Sequence, residues 1–260
     1  LESAVVDFCL RTFGHGATGA GIFTSGGTES IFLAVKSARE WAKRNKPGIA
    51  KPNVVMPVSA HAAFAKAIYY LGLESRRVPI GAEYRADIDQ LREAIDENTI
   101  MIVGSAPAYA HGNFDDIEAV GKLAEPHRLW FHVDACLGGF VAPFVRELGY
   151  PIPPFDFTVP QVTSLSADLH KYGYAPKGSS VLLYRTPEHK EYVRFVFRDW
   201  PRGLYQTYTL LGSRPAGPLA GSFAATRFLG EEGYLEAARV MMAIKERLIA
   251  GIGAIDGLRV

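Results

Sequence analysis

Leu129-Trp130-Phe131-His132-Val133-Asp134-Ala135-Cys136-Leu137-Gly138-Gly139 is the stretch on which the fold turns. Residues 129–133 form a short, nearly continuous apolar run, the mark of a strand covered on both faces rather than one with a wet side. The run stops at an acid, followed by small residues and two glycines. A carboxylate at the mouth of a buried strand is costly without a cation or hydrogen-bond donors. Asp134 therefore wants a cationic partner, although taken alone it is more commonly a satisfied core aspartate or a cap.

Six further runs of the same kind recur at Gly21–Thr24, Asn53–Val58, Ser75–Pro79, Ile100–Gly104, Val162–Ser166 and Ser180–Tyr184. Helical patterns separate most of them. Thr28–Arg44 places Ile31, Val35, Ala38 and Ala42 on one face, Ala62–Leu71 is short and apolar, and Asp87–Asp96 and Phe114–Leu123 each follow an acidic start. Alternating strands and helices predict an α/β fold with a doubly wound, mostly parallel sheet of seven strands. After Arg185 the pattern changes to helices and loops, interrupted by Pro201, Pro215 and Pro218, and a long helix is expected from Glu231 to about Gly251. The expected division is a large domain over residues 1–227 and the start of a small C-terminal domain over 228–260. Leu1–Phe13 reads as an amphipathic helix with no initiator methionine before it, which marks the chain as a piece of a longer one.

With 260 residues, 48% hydrophobic and 21% charged, the composition is that of an ordinary globular domain. The 28 basic and 27 acidic side chains nearly cancel, leaving a net charge of +1. Such a balance offers no electrostatic footprint for nucleic acid or an anionic membrane. Cys9 and Cys136 lie far apart, which supports neither a disulfide framework nor a zinc site. The expected setting is reducing and cytoplasmic, with no metal, and no apolar stretch reaches the ~18–20 residues that span a bilayer.

In open α/β sheets ligands bind beyond the carboxyl ends of the strands, so the loops there carry the chemistry. The strand ending at Thr24 runs into Ser25-Gly26-Gly27-Thr28-Glu29-Ser30. Gly26 and Gly27 let backbone approach a ligand, and free amides at the helix start with the Thr28 hydroxyl suit a phosphate; a plain turn capped by Thr28 or Ser30 is the alternative. Val162–Ser166 ends in Ala167-Asp168-Leu169-His170-Lys171. A lysine lodged in a cleft beside His170 has its ammonium disfavoured, which would leave a neutral, nucleophilic amine able to form a Schiff base. The alternative is an exposed loop lysine, as expected for the solvated pair His189-Lys190. His61, at the start of a small-residue helix, is either a cap or a ring able to stack on a planar ligand. Phosphate cradle, histidine, buried acid and lysine, each after a separate strand, are the parts a pyridoxal phosphate (PLP) site requires.

His132–Phe140 and Ser164–Ser180, together with Thr24–Ser30, Gly112, Asp199-Trp200 and Gly212-Ser213-Arg214-Pro215, resemble the sphingosine-1-phosphate lyases of the PLP-dependent group II decarboxylase family. The resemblance implies an aspartate-aminotransferase-type (fold-type I) enzyme, a homodimer with a shared active site. It would cleave long-chain base phosphates to a fatty aldehyde and phosphoethanolamine. It implies Lys171 as the Schiff-base lysine, Asp134 as partner of the pyridine nitrogen, and His61 stacked on the ring. Gly26, Gly27, Thr28, Cys136 and His170 would contact the cofactor, joined at its phosphate by Ser213 of the neighbouring protomer. Lys177 would lie near the substrate phosphate, and Tyr109 is a candidate for substrate contact or proton transfer. Family members extend further at both ends, where a membrane anchor and part of the substrate site could reside. An amino-acid decarboxylase and a non-catalytic PLP-binding protein are the competing readings. The G-x-G-x-x-G spacing of Gly14–Gly19 is set aside, because a dinucleotide motif follows a strand and opens a helix, whereas here a helix precedes and a strand follows.

Overall fold

The computed structural model describes every residue except Ala17 and Val260. In chain order its elements are α1 (Glu2–Thr12), β1 (Ala20–Thr24), α2 (Gly27–Asn45), β2 (Asn53–Pro57), α3 (Ala62–Leu71), β3 (Glu74–Val78), α4 (Ile88–Ala94) and β4 (Thr99–Ser105). There follow α5 (Ile117–Ala124), β5 (Trp130–Asp134), α6 (Ala142–Glu147), β6 (Ser164–Ala167), β7 (Ser180–Tyr184), α7 (Pro187–Glu191), β8 (Phe195–Phe197), β9 (Tyr205–Thr207) and α8 (Gly217–Gly253). All seven apolar runs are strands, with ends displaced by at most two residues, and they pair into one sheet in the order β1-β7-β6-β5-β4-β2-β3. Only β7 runs antiparallel to its neighbours. Six carboxyl ends therefore face one edge, and the loops that follow them gather there.

Strand residues alternate between two cores, which makes three layers. On one side Val55, Ile102, Phe131, Val133 and Leu165 pack with α1, α5, α6 and Tyr234 of α8. On the other, Val54, Met101, Trp130, Leu182 and Tyr184 pack with Ile31, Val35 and Ala38 of α2 and Phe64 of α3. Burial on both faces is why the strands read as continuous apolar runs. The edge strand β3 is the exception, with only Val78 buried.

Helix ends follow local chemistry. Asp87 caps α4 and Asp116 caps α5 by accepting first-turn amides, so the expected starts move by one to three residues. Gly72 closes α3 in the left-handed conformation, φ 66°. Three features after β5 differ from expectation. Residues 142–147 form the unexpected α6, and β8 and β9 form a hairpin where only helices and loops were expected. The long helix begins at Gly217 and crosses position 228, with a non-helical residue at Gly230 (φ 56°, ψ −171°), so its second arm starts where the long helix was expected. His189-Lys190 is also not simply solvated. The His189 ring meets Trp130 edge-on at 5.4 Å, and Lys190 lies over Tyr208 at 5.1 Å. The Gly14–Gly19 motif includes Ala17, outside the described residues; α1 precedes it and β1 follows. Among the described residues no helix is long and apolar enough to cross a membrane.

Candidate active site

The turn from β1 into α2 builds an anion cradle. Gly26 has φ 144°, a conformation side chains rarely adopt. A Cβ on Gly27 would lie 2.8 and 2.9 Å from the Asp168 carboxylate oxygens and 2.9 Å from Cys136 Sγ. Neither Thr28 nor Ser30 caps the helix. The Ser30 hydroxyl is instead bonded to Thr24 Oγ1 (2.6 Å) and Ser180 Oγ (2.9 Å), and Ser180 donates to the Ala167 carbonyl (3.1 Å), which welds β1, α2, β7 and β6 together. Buried Glu29 accepts from the amides of Ser25 (2.6 Å) and Leu210 (2.9 Å). The first-turn amides of a 19-residue helix are thus left without a side-chain cap, where a negative ligand is favoured.

Two carboxylates stand side by side at the ends of β5 and β6, in opposite circumstances. Asp134 Oδ1 accepts the Cys136 amide at 3.0 Å. Burial pushes its pKa up, the neighbouring Asp168 charge adds to that, and among the described residues no cationic side chain pairs with it. Asp168 does have a cation, since its Oδ2 lies 2.9 Å from Lys171 Nζ and 3.5 Å from His170 Nε2. Its Oδ1 is buried without a hydrogen-bond partner.

Lys171 corrects an expectation. Burial alone would lower its pKa, but the charge and hydrogen bond of Asp168, with Cys136 and Asp134 behind, hold it above the ordinary lysine value. The amine is an ion-paired ammonium here, not a free base. His170 exchanges two hydrogen bonds with Ser179, accepting its amide on Nδ1 at 3.1 Å and donating its own to the Ser179 carbonyl at 3.1 Å. Its ring is thereby aimed past Gly26, and burial lowers its pKa.

His61 caps α3 and also presents its ring to the cleft. Its Nδ1 accepts the Ala63 amide at 3.1 Å, capping α3, and its ring lines the cleft with Tyr109 edge-on at 6.1 Å. Gly26, Gly27, Thr28, His61, Cys136, His170 and Lys171 share one cleft of about 350 Å³ with Asp168. Asp134 lies buried behind Cys136. Tyr109 sits at the rim, 67% exposed. Lys177 and Ser213 are exposed and do not line the cleft of their own chain. Asp168 is the residue that sequence reasoning missed, although its three-residue spacing from Lys171 in a loop was a usable signal.

The comparisons with known proteins speak to this cleft. A family model for the pyridoxal-dependent decarboxylase conserved domain matches residues 6–252. The chain belongs to the pyridoxal-dependent decarboxylase family. Within that family it is 49% identical to a sphingosine-1-phosphate lyase of Oryza sativa subsp. japonica, over 99% of this chain and 49% of that protein. It is 40% identical to a probable L-tyrosine/L-aspartate decarboxylase of Methanocorpusculum labreanum, over 98% of this chain and 67% of that protein. The solved Burkholderia pseudomallei sphingosine-1-phosphate lyase superposes with a TM-score of 0.95 at 41% identity, covering all of this chain and 61% of that one. The chain spans about half the length of the sphingosine-1-phosphate lyases it matches.

The family's cofactor, pyridoxal 5′-phosphate, fits these residues at three points. Uncapped amides and a glycine whose missing Cβ leaves room await a phosphate. Asp134, a buried carboxylate with no cationic partner among the described residues, would suit a protonated ring nitrogen. Lys171 brings an amine into the same cleft. No cluster of three metal-ligating side chains occurs among the described residues.

Proposed function

We propose that the protein carrying this chain is a PLP-dependent lyase that cleaves the C2–C3 bond of phosphorylated long-chain bases, releasing a fatty aldehyde and phosphoethanolamine. The observation that carries the reading is near-complete coverage of this chain, at 41–49% identity, by proteins described as sphingosine-1-phosphate lyases, cleft loops included. An apolar groove of about 520 Å³ adds support. Its lining includes Leu137 and Tyr172, the chain neighbours of Cys136 and Lys171, and it continues over Val141 and Met242, a surface suited to a hydrocarbon tail.

In this reading bound pyridoxal phosphate is the electron sink for the bond pair released at C2–C3. Lys171 Nζ would hold the cofactor, and Asp168 Oδ2, 2.9 Å away, would accept the ammonium proton that must leave first. Asp134 keeps the ring nitrogen protonated. The cleft-facing side of His61 would stack on the ring, its orientation set by the cap to Ala63. The amides of Gly27 and Thr28, with His170, hold the cofactor phosphate beside Gly26 and Cys136. Lys171 or Tyr109 takes the proton of the C3 hydroxyl. Lys177 meets the substrate phosphate, and Ser213 reaches the cofactor phosphate from the second copy of a homodimer. In this reading residues 228–260 begin a smaller C-terminal unit: Tyr234 and Ala238 pack in the core of the large domain, while Val240, Ile244, Leu248 and Ile252, exposed every four residues along α8, form the face such a unit would cover. A substrate with such a tail would suit an enzyme working at a cytosol-facing membrane surface, the cytoplasm being the other setting in this reading.

The likeness to the M. labreanum protein favours a second reading, decarboxylation of an amino acid in the same cleft. The full-length protein, reconstituted with pyridoxal phosphate and given sphingosine-1-phosphate, should release long-chain aldehyde and phosphoethanolamine. Carbon dioxide from tyrosine or aspartate with no aldehyde would establish the second reading instead. Bound cofactor with neither product would make the protein a non-catalytic binder.

A further inference from the structure

The anion cradle holds an acid where a phosphate would least favour one. Glu29 stands in the first turn of α2, buried, on the border of the cleft. A carboxylate there suits the helix dipole, but its charge repels any phosphate seated on the same turn. Its bonds lead away from the helix. Oε2 accepts the Ser25 amide at 2.6 Å, and Oε1 accepts the Leu210 amide at 2.9 Å. One side chain thus joins the glycine turn to a segment 181 residues further along the chain.

A second acid ties the same two stretches together. Glu2 Oε1 accepts the Phe23 amide at 2.9 Å, Glu2 Oε2 lies 3.4 Å from Arg214 Nη2, and Arg214 Nη1 donates to the Phe23 carbonyl. Between the two anchors, Leu210 and Arg214, lies the exposed Ser213. The end of β1 that opens the cradle is therefore bound at two points to the segment that carries Ser213. At Glu29 the chemistry demands a carboxylate. Both of its partners are backbone N–H groups, which donate and cannot accept, so each needs an oxygen of its own. A glutamine has one oxygen, and its amide nitrogen would face the second N–H.

We propose that Glu29 is a positioning residue for the cofactor phosphate, clamping the glycine turn and the Ser213 segment into one unit. The chain thereby sets together its own cradle and the hydroxyl it offers to the second copy. The inference rests on the reading of the cleft as a pyridoxal phosphate site and, for the second copy, on the role given to Ser213.

Charge and position predict opposite signs for Glu29→Gln, which removes a negative charge at nearly constant volume. By charge alone a phosphate should bind more tightly; by position it should bind more weakly. The full-length protein is titrated with pyridoxal phosphate and with pyridoxal, which lacks the phosphate. The advantage of the phosphorylated form, as the ratio of the two dissociation constants, should fall ~10-fold or more in Glu29→Gln, the scale of one hydrogen bond to a charged group. Pyridoxal binding itself should persist, showing that the cleft is folded. An advantage unchanged or increased would overturn the proposal. In the cofactor-free protein, hydrogen exchange should quicken ~10-fold at Ser25 or Leu210 in Glu29→Gln and at both in Glu29→Ala. Unchanged exchange at both sites would overturn the clamp whatever the enzyme's reaction. Ser213→Ala should also reduce the phosphate advantage; no reduction would overturn the part that concerns the second copy. A parent protein that binds no pyridoxal phosphate would refute the reading of the cleft, and this inference with it.

Discussion

Asp168→Asn removes one negative charge from the cleft at nearly constant volume, and the geometry sets both the size and the pH dependence of the result. The Asp168 side chain is 2% exposed and that of Lys171 29%, with 2.9 Å between Oδ2 and Nζ. Stripping one partner from a fully buried ion pair costs ~3–5 kcal/mol. Lys171 is almost a third exposed and can shed its proton, so the loss near pH 7 should be about 2 kcal/mol. That corresponds to roughly 4–8 °C in Tm for a domain of this size. The raised pKa of Lys171 means that the pair stabilises the native protein fully below the ordinary lysine value of 10.5, the contribution fading only as pH rises through the higher folded value. In the variant the largest influence, burial, is no longer outweighed, and the folded pKa drops below the unfolded one. The variant should then gain stability as pH climbs toward 10.5 while the parent does not. Thermal unfolding of the cofactor-free protein at pH 7, 8.5 and 10 should show a gap that narrows steadily. A gap independent of pH, or none at pH 7, would mean that Lys171 is not held as an ammonium by Asp168.

Lys171→Ala should abolish the near-visible absorbance of lysine-bound cofactor and all turnover; residual turnover would dismiss the assignment of this lysine. Asp134→Asn should reduce kcat by ~10²–10³-fold, the scale of losing one preorganised electrostatic contact, while the cofactor dissociation constant changes by less than ~10-fold. Gly27→Ala puts a methyl group within 3 Å of Asp168 and Cys136, so cofactor binding measured by absorbance titration should weaken at least ~10-fold, with a further ~1–3 kcal/mol of overpacking seen in unfolding. Lys177→Ala should spare the absorbance band and raise KM for phosphorylated substrates; an equal effect on a non-phosphorylated amine would refute a phosphate contact.

The fold was legible because burial on both sheet faces forces apolar runs, and all seven runs found by that rule are strands. The reversed direction of β7 was not legible, since a run such as Ser180–Tyr184 looks alike read either way. The β8–β9 hairpin escaped for the opposite reason. It lies outside the core with Phe195, Val196 and Phe197 exposed, so it lacks the pattern that marks a buried strand. At α8, Gly230 separates two arms of which only the second was anticipated; that arm still buries Tyr234 and Ala238 in the core before Val240, Ile244 and Leu248 turn outward.

The site divides along the same physical line. Residues whose role is fixed by their place on the backbone, such as the glycines opening α2 or His61 opening α3, could be located from strand ends alone. The two aspartates could not be told apart in that way, because each ends a buried strand and each therefore wants a cation. What separates them is a neighbour on another part of the chain. Asp168 has the Lys171 ammonium, whereas Asp134 accepts the Cys136 amide and has no cationic partner among the described residues. The difference suits two demands that one pyridine cofactor makes: a proton acceptor beside the amine that must become neutral, and a carboxylate that must stay charged at the ring nitrogen. A period-two reading of Ser164 and Ser166 on β6, carried one step past its end to Asp168, against His132 and Asp134 on β5 would have brought both acids into one frame.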